Sequence, residues 1–197
     1  GDAAQVPTLT ASAGASDPSY GYIIGNDSYP EVFVGRFSAE SLPDVNTQVQ
    51  RLLNYERYPQ AAATWYSHGV SIGSNLGPGD DNEMDWEHER IIHDKELAFT
   101  YTSVGELYDG THGGDDAAGD PVNTDLAALM NSGISLINYT GHGSQTSIVT
   151  TGFSNSDVPA LTNYDKLPFF WSVGCVSGDF TTATCFAEAL ARAQNGG

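Results

Sequence analysis

Apolar and polar positions along the chain fall into short runs that change period several times. Tyr20-Gly21-Tyr22-Ile23-Ile24 and Glu31-Val32-Phe33-Val34-Gly35-Arg36-Phe37 each read as a short strand. The polar turn from Gly25 to Pro30 between them predicts a hairpin. From Ser41 the period becomes helical: Pro43 and Asp44 fall in a first turn, and Val45, Val49, Leu52 and Leu53 recur at helical spacing until about Tyr58-Pro59. Gly69-Val70-Ser71-Ile72-Gly73 predicts a third strand, emptying into a loop over residues 74–82. Asp85 to Phe99 reads as a second helix, Thr100 to Tyr108 as extended chain, and Asp109 to Pro121 as a Gly/Asp loop. Asn123 or Thr124 caps a third helix with Leu126, Leu129 and Met130 on one face, closing at Gly133.

Two units of one kind follow. Ile134-Ser135-Leu136-Ile137-Asn138-Tyr139-Thr140 runs into Gly141-His142-Gly143-Ser144, and Leu167-Pro168-Phe169-Phe170-Trp171-Ser172-Val173 runs into Gly174-Cys175-Val176-Ser177-Gly178-Asp179. Each is a β-rich apolar run that stops at a glycine and delivers a reactive side chain at once. Ala183 to Gln194 is a last helix, ending in Asn195-Gly196-Gly197. Alternating strands and helices predict an α/β fold, with a mainly parallel sheet flanked by helices. The Gly/Asp loop marks the expected division into two lobes, residues 1–115 and 116–197. Gly1-Asp2 reads as the loop after an earlier strand, and the chain stops just after a helix, where an α/β domain would return another strand. A piece of a larger unit, truncated at both ends, is the expectation.

Composition changes this picture in one respect. At 197 residues with 40% apolar content the chain can bury one sizeable core, but 25 Asp and Glu face only 7 Lys and Arg, giving a formal net charge of −18. Such a field repels nucleic acid and anionic membrane and attracts metal ions and basic peptide segments. No apolar run is long enough to insert into a bilayer. Few lysines among many glycines and tyrosines point to an exported protein. Two cysteines do not make a disulfide framework for a domain of this size.

His142 and Cys175 are the candidate base and nucleophile. Glycines on both sides of His142 let the backbone turn sharply and approach a substrate. Cys175 falls at the carboxyl end of its strand, where open α/β sheets place their sites, and amides after Gly174 can face a developing oxyanion. The plain alternatives are a buried small hydrophobe or a disulfide to Cys185. His88 and His93 share a charged helix without the four-residue spacing of a helical zinc pair, and His68 and His112 are single, so no zinc is expected. Asp27, Tyr29 and Glu31 alternate along the turn into the second strand, offering hard oxygens that suit calcium; a solvated acidic hairpin is the other reading. Asp109, Asp115, Asp116 and Asp120 form a weaker candidate of the same kind.

Asn138-Tyr139-Thr140-Gly141-His142-Gly143-Ser144, Gly174-Cys175-Val176-Ser177-Gly178-Asp179-Phe180 and Cys185-Phe186-Ala187-Glu188-Ala189-Leu190 together closely resemble the gingipains, secreted cysteine endopeptidases with a caspase-like fold. The likeness extends upstream through Ile24-Gly25-Asn26-Asp27, Glu31 to Phe37 and Asn54-Tyr55-Glu56-Arg57, in order, over nearly the whole chain. The resemblance implies a caspase-like layered sandwich, with Cys175 as nucleophile, His142 as base and the amides of Gly143 and Cys175 as the oxyanion hole. It places on Asp85 the acid that binds the basic side chain of the substrate in the arginine-specific members; a guanidinium suits a carboxylate that can accept two parallel hydrogen bonds. Asp85 also simply favours a helix N-terminus. Where those members carry a glutamate near the histidine, Asn75 stands here as a possible third catalytic member, able to orient an imidazole but not to stabilise its charge. The resemblance further implies structural calcium on the Asp27 turn, and no cofactor for the chemistry.

The expected activity is therefore secreted, thiol-dependent cleavage of proteins or peptides after basic residues, arginine above all. A non-enzymatic calcium-binding module that keeps the fold, and a transpeptidase using the same dyad, are the rival readings.

Overall fold

The computed structural model describes residues 6–12, 14–78, 82–181 and 183–197. The expectation placed on Gly1-Asp2, and part of that placed on the loop over 74–82, lie outside the described residues. Four strands form a parallel sheet: β1 (His68–Gly73), β2 (Ser103–Tyr108), β3 (Leu136–Thr140) and β4 (Phe169–Val173), in spatial order β2-β1-β3-β4. Helix α1 (Leu42–Arg57) precedes the sheet, α2 (Asp85–Phe99) links β1 to β2, α3 (Asn123–Ser132) links β2 to β3, and α4 (Phe186–Arg192) follows β4.

Period-two alternation divides the sheet into unlike faces. Val70, Ile72, Leu107, Ile137 and Tyr139 join Leu126 and Met130 of α3, Phe186 and Leu190 of α4, and Ile148, Phe153, Val158 and Leu161 of the β3–β4 crossover in one apolar core. The opposite face carries Ser71, Glu106, Asn138 and Thr140 beneath α2. Gly73 permits this close approach: a Cβ there would lie 2.5 Å from the Trp86 Cα.

Helix boundaries follow local chemistry. Ser41 caps α1: its hydroxyl accepts the Asp44 N–H, and the Asp44 carboxylate accepts the Ser41 N–H at 2.9 Å. Met84, Val122 and Cys185 each donate their backbone N–H to an acid three residues on, Glu87, Asp125 and Glu188. At the other end of α4, the Arg51 guanidinium of α1 donates to the carbonyls of Leu190, Ala191 and Ala193 at 2.8–3.0 Å.

One expectation needs correction. The N-terminal hairpin does not form. Residues 17–21 are a 3-10 turn, and the extended chain from Glu31 to Phe37 keeps one backbone bond to that region, from the Glu31 N–H to the Gly21 carbonyl at 2.9 Å. Both segments have strand propensity without a neighbouring strand to pair with, and Ile24 and Phe33 stay exposed. The apolar stripe of α1 does form a helix, yet Val45, Val49, Leu52 and Leu53 remain 37–43% exposed. The boundary placed at Asp115, between 1–115 and 116–197, falls within one sheet: β1 hydrogen-bonds to β2 before it and to β3 after it.

Candidate active site

The sheet register brings the two reactive turns together. Thr140 pairs with Val173, so parallel β3 and β4 end level, and His142 and Cys175 each follow two residues later. The Gly141 N–H donates to the Val173 carbonyl at 3.2 Å, continuing the ladder past both strand ends. Backbone then meets backbone: a Cβ on Gly143 would lie 2.3 Å from the Cys175 carbonyl oxygen and 3.0 Å from its nitrogen. Only glycine fits beside the cysteine there. The Gly143 and Cys175 amides expected to form an oxyanion hole thus belong to touching segments.

Both reactive side chains are open to solvent. Cys175 and Cys185 are free thiols, one exposed and one buried, so the disulfide alternative is not what the structure holds. Burial pushes the Cys185 thiol up, which suits an inert core residue. Immediately after Cys175, Val176 has φ +53°, a left-handed conformation that is rare for a β-branched residue. This strain turns the chain sharply away after Cys175 and leaves the thiol on the outside of the bend. The Ser177 hydroxyl back-bonds to the Gly174 carbonyl at 3.3 Å, and the Ala187 N–H donates to the Ser177 carbonyl at 3.0 Å, tying the bend to α4.

Beneath the histidine lies a residue that strand patterning assigns only to the core. The fully buried Tyr139 donates its hydroxyl to the His142 carbonyl at 2.5 Å and accepts the Val149 N–H at 3.3 Å. The His142 carbonyl also accepts the Val149 N–H at 2.9 Å. The tyrosine ring fills the space where a side chain on Gly141 would stand. Tyr139 is therefore the floor of the histidine turn.

Asp85 opens α2 on the same carboxyl-terminal side of the sheet. It accepts the Ser74 hydroxyl, while its N–H donates to the Leu76 carbonyl and that of Trp86 to the Ser74 carbonyl. Asp109 follows β2, with its N–H on the Gly73 carbonyl and its carboxylate accepting the Thr150 hydroxyl at 3.3 Å. Burial pushes the Asp109 carboxyl up, and the charges of Asp120 and Asp85 add to this. Crowded carboxylates favour a cation. Asn75 lies in the exposed loop after β1 with its amide facing Gly110, and no hydrogen bond joins it to His142.

The expected calcium ligands are partly spoken for by backbone. Glu31 Oε2 accepts the Ile23 and Ile24 N–H groups, at 2.8 and 3.3 Å, and Asp27 Oδ1 accepts the Tyr29 N–H at 3.0 Å. A second oxygen of each carboxylate and the turn carbonyls are the donors that would face a hard cation. In the weaker cluster, Asp116 accepts the N–H groups of Tyr108 and His112, and Asp120 accepts that of Gly110. These acids staple their own loop. Among the described residues no three His, Cys, Asp or Glu side chains converge as a metal site.

Residues 1–197 match the model of Peptidase family C25. The chain is 42% identical, over its whole length, to Gingipain R2 and Gingipain R1 of Porphyromonas gingivalis, and it spans 26% and 19% of those proteins. It is 27% identical over 88% of its length to Lys-gingipain of the same organism, of which it spans 10%. A crystal structure of the Arg specific cysteine proteinase gingipain R superposes with a TM-score of 0.87 at 40% identity, covering 95% of this chain and 42% of that one. By a family match over its full length and by this identity to the arginine gingipains, the chain belongs to Peptidase family C25.

Proposed function

We propose that this chain carries the catalytic dyad of an exported cysteine endopeptidase that cleaves proteins and peptides after arginine. One observation bears most of the weight: two level parallel strands deliver His142 and Cys175 on turns whose backbones touch at Gly143. In this mechanism the Cys175 sulfur attacks the scissile carbonyl carbon while His142 takes the thiol proton. The oxygen that becomes negative receives hydrogen bonds from the Gly143 and Cys175 amides. His142 then gives its proton to the leaving amine, and an acyl-thioester remains on Cys175. Water, deprotonated by His142, releases the acid and restores the thiol. Asn75 would have to turn toward the imidazole to orient it. Asp85, at the start of α2, would pair with the substrate guanidinium, a reading supported by the 42% identity to gingipains R1 and R2. Export is supported by the acidic, lysine-poor composition.

The direct test is labelling of the full-length protein with an arginyl chloromethyl ketone, followed by mass-spectrometric mapping. Modification at Cys175 that disappears in His142→Ala supports the dyad and a basic-residue site. Failure of arginyl, lysyl and apolar reagents alike on folded, reduced protein would favour a non-enzymatic module. Formation of amide products with added amines, in place of hydrolysis, would favour a transpeptidase.

Calcium belongs to the same proposal as a structural ion at Asp27, Tyr29 and Glu31, with no part in the chemistry. Millimolar calcium is expected to raise Tm by several degrees, and Glu31→Gln to abolish the increase. Equal calcium response in wild type and variant would remove this turn as the site.

A further inference from the structure

The middle of the sheet face beneath α2 is polar, with Ser71, Glu106 and Asn138 side by side, where a parallel sheet covered by a helix normally buries aliphatic side chains. Glu89, only 1% exposed, lies at its centre; one carboxylate oxygen accepts the Thr140 hydroxyl at 2.8 Å, and the other, Oε2, has no hydrogen-bond partner. The buried Ser71 hydroxyl lies beside the Glu89 carboxylate. The mechanism above uses none of these groups, yet they lie in a closed circuit. Glu89 is one helical turn after Asp85. Asp85 accepts the Ser74 hydroxyl, the Ser74 N–H donates to the Thr140 carbonyl at 3.0 Å, and the Thr140 hydroxyl returns to Glu89. The circuit joins the first turn of α2, the end of β1 and the end of β3, two residues before His142.

We propose that Glu89 is a positioning residue that, through Thr140 and Ser74, fixes the Asp85 carboxylate relative to the strand ending in His142. The inference rests on the reading of Asp85 as the group that binds the substrate's basic side chain. Geometry supplies its logic: Asp85 and Glu89 share a rigid helix, so anchoring Glu89 to Thr140 sets where Asp85 stands over the sheet. An aliphatic residue at 89 would pack, but it would leave α2 free to slide along the strands. A hydrogen bond supplies a register that apolar contact lacks.

The circuit is also sensitive to protonation. Burial pushes the Glu89 carboxyl up to about 7, the Glu96 charge adding to this while the Thr140 and Ser71 hydroxyls and His88 act against it. From the other elements, Glu106 and Tyr108 of β2 face the same region; Arg90 is paired with Glu106, and β1 and β3 present only the uncharged Ser71, Asn138 and Thr140. His93, buried on α2, bonds to Asp94. Burial therefore outweighs these neighbours in setting the Glu89 carboxyl. Its folded-state value stands above its ordinary one, so the stabilising contribution is complete below about 4.5 and is lost as pH rises through about 7.

The test uses the full-length protein and benzamidine, a competitive probe that occupies a carboxylate-floored site without acylation. Wild-type Ki is expected to rise roughly 3- to 10-fold between pH 6 and pH 8.5, and Glu89→Gln, which keeps the shape without the charge, to flatten that rise. Thr140→Val should raise Ki at both pH values and Thr140→Ser should restore it, with the rate of Cys175 alkylation by iodoacetamide unchanged in each. A Glu89→Gln profile that rises as the wild type does, or a Thr140→Val variant that loses Tm but keeps its Ki, would overturn the proposal. An unchanged Ki in Asp85→Asn would instead overturn the underlying reading of Asp85, which separates the two failures.

Discussion

Cys175→Ala in the full-length protein is expected to lower kcat for an arginyl amide substrate by roughly 10^4-fold or more while KM stays within a few-fold. The thiol makes and breaks the only covalent bond between enzyme and substrate in the proposed path, and water held in its place is a far weaker nucleophile without the same geometry. Exposure of Cys175 means that the substitution removes little packing, so Tm should hold within about 2 °C. His142→Ala should cost nearly as much and add little to Cys175→Ala in the double variant, because the two act as a unit. Progress curves at high enzyme concentration, with active-site titration to exclude trace wild type, measure this. Retention of a tenth of the wild-type rate in Cys175→Ala would end the nucleophile assignment.

The second large effect concerns selectivity. Asp85→Asn is expected to cost about 2–5 kcal/mol of transition-state binding for an arginyl substrate, roughly 30- to 4,000-fold in kcat/KM. A guanidinium that pairs with Asp85 gives up water, and an amide returns only one acceptor without charge. The loss should be much smaller for a substrate with a neutral residue at the cleaved position, so the ratio between the substrates is the decisive number. The hydroxyl of Ser74 can still donate to the asparagine oxygen, which keeps the fold of the turn. An equal loss for both substrates would assign Asp85 to the architecture of α2 rather than to recognition.

How far the sequence announces all this varies from residue to residue. His142 and Cys175 are legible because each follows an apolar run that stops at glycine, and such punctuation is local. The strands and helices of the sheet are legible for the same reason, through period and capping residues such as Ser41 and Asp44. The strands expected at Tyr20–Ile24 and Glu31–Phe37 are not realised, because a strand is completed by a neighbour and propensity cannot supply one. Tyr139 reads as core and is core, yet its hydroxyl also braces the histidine turn, a role visible only once the crossover returns Val149 to it. Glu89 is the least legible of all. In a helix as charged as Trp86-Glu87-His88-Glu89-Arg90 a glutamate looks solvated, and only the crossing of α2 over β3 turns it inward.

The level ends of β3 and β4 have a further consequence. Parallel strands can pair only in whole-residue steps, and a step of one would turn Phe170 out of the core and Trp171 into it. The same step would carry Cys175 about 3.3 Å along the strand, away from Gly143. Placement of Cys175 is thus quantised, with no partly displaced state close in energy to the native one. Substitutions that thin the core around Phe170 should therefore leave the surviving folded molecules with full turnover and reduce only their number.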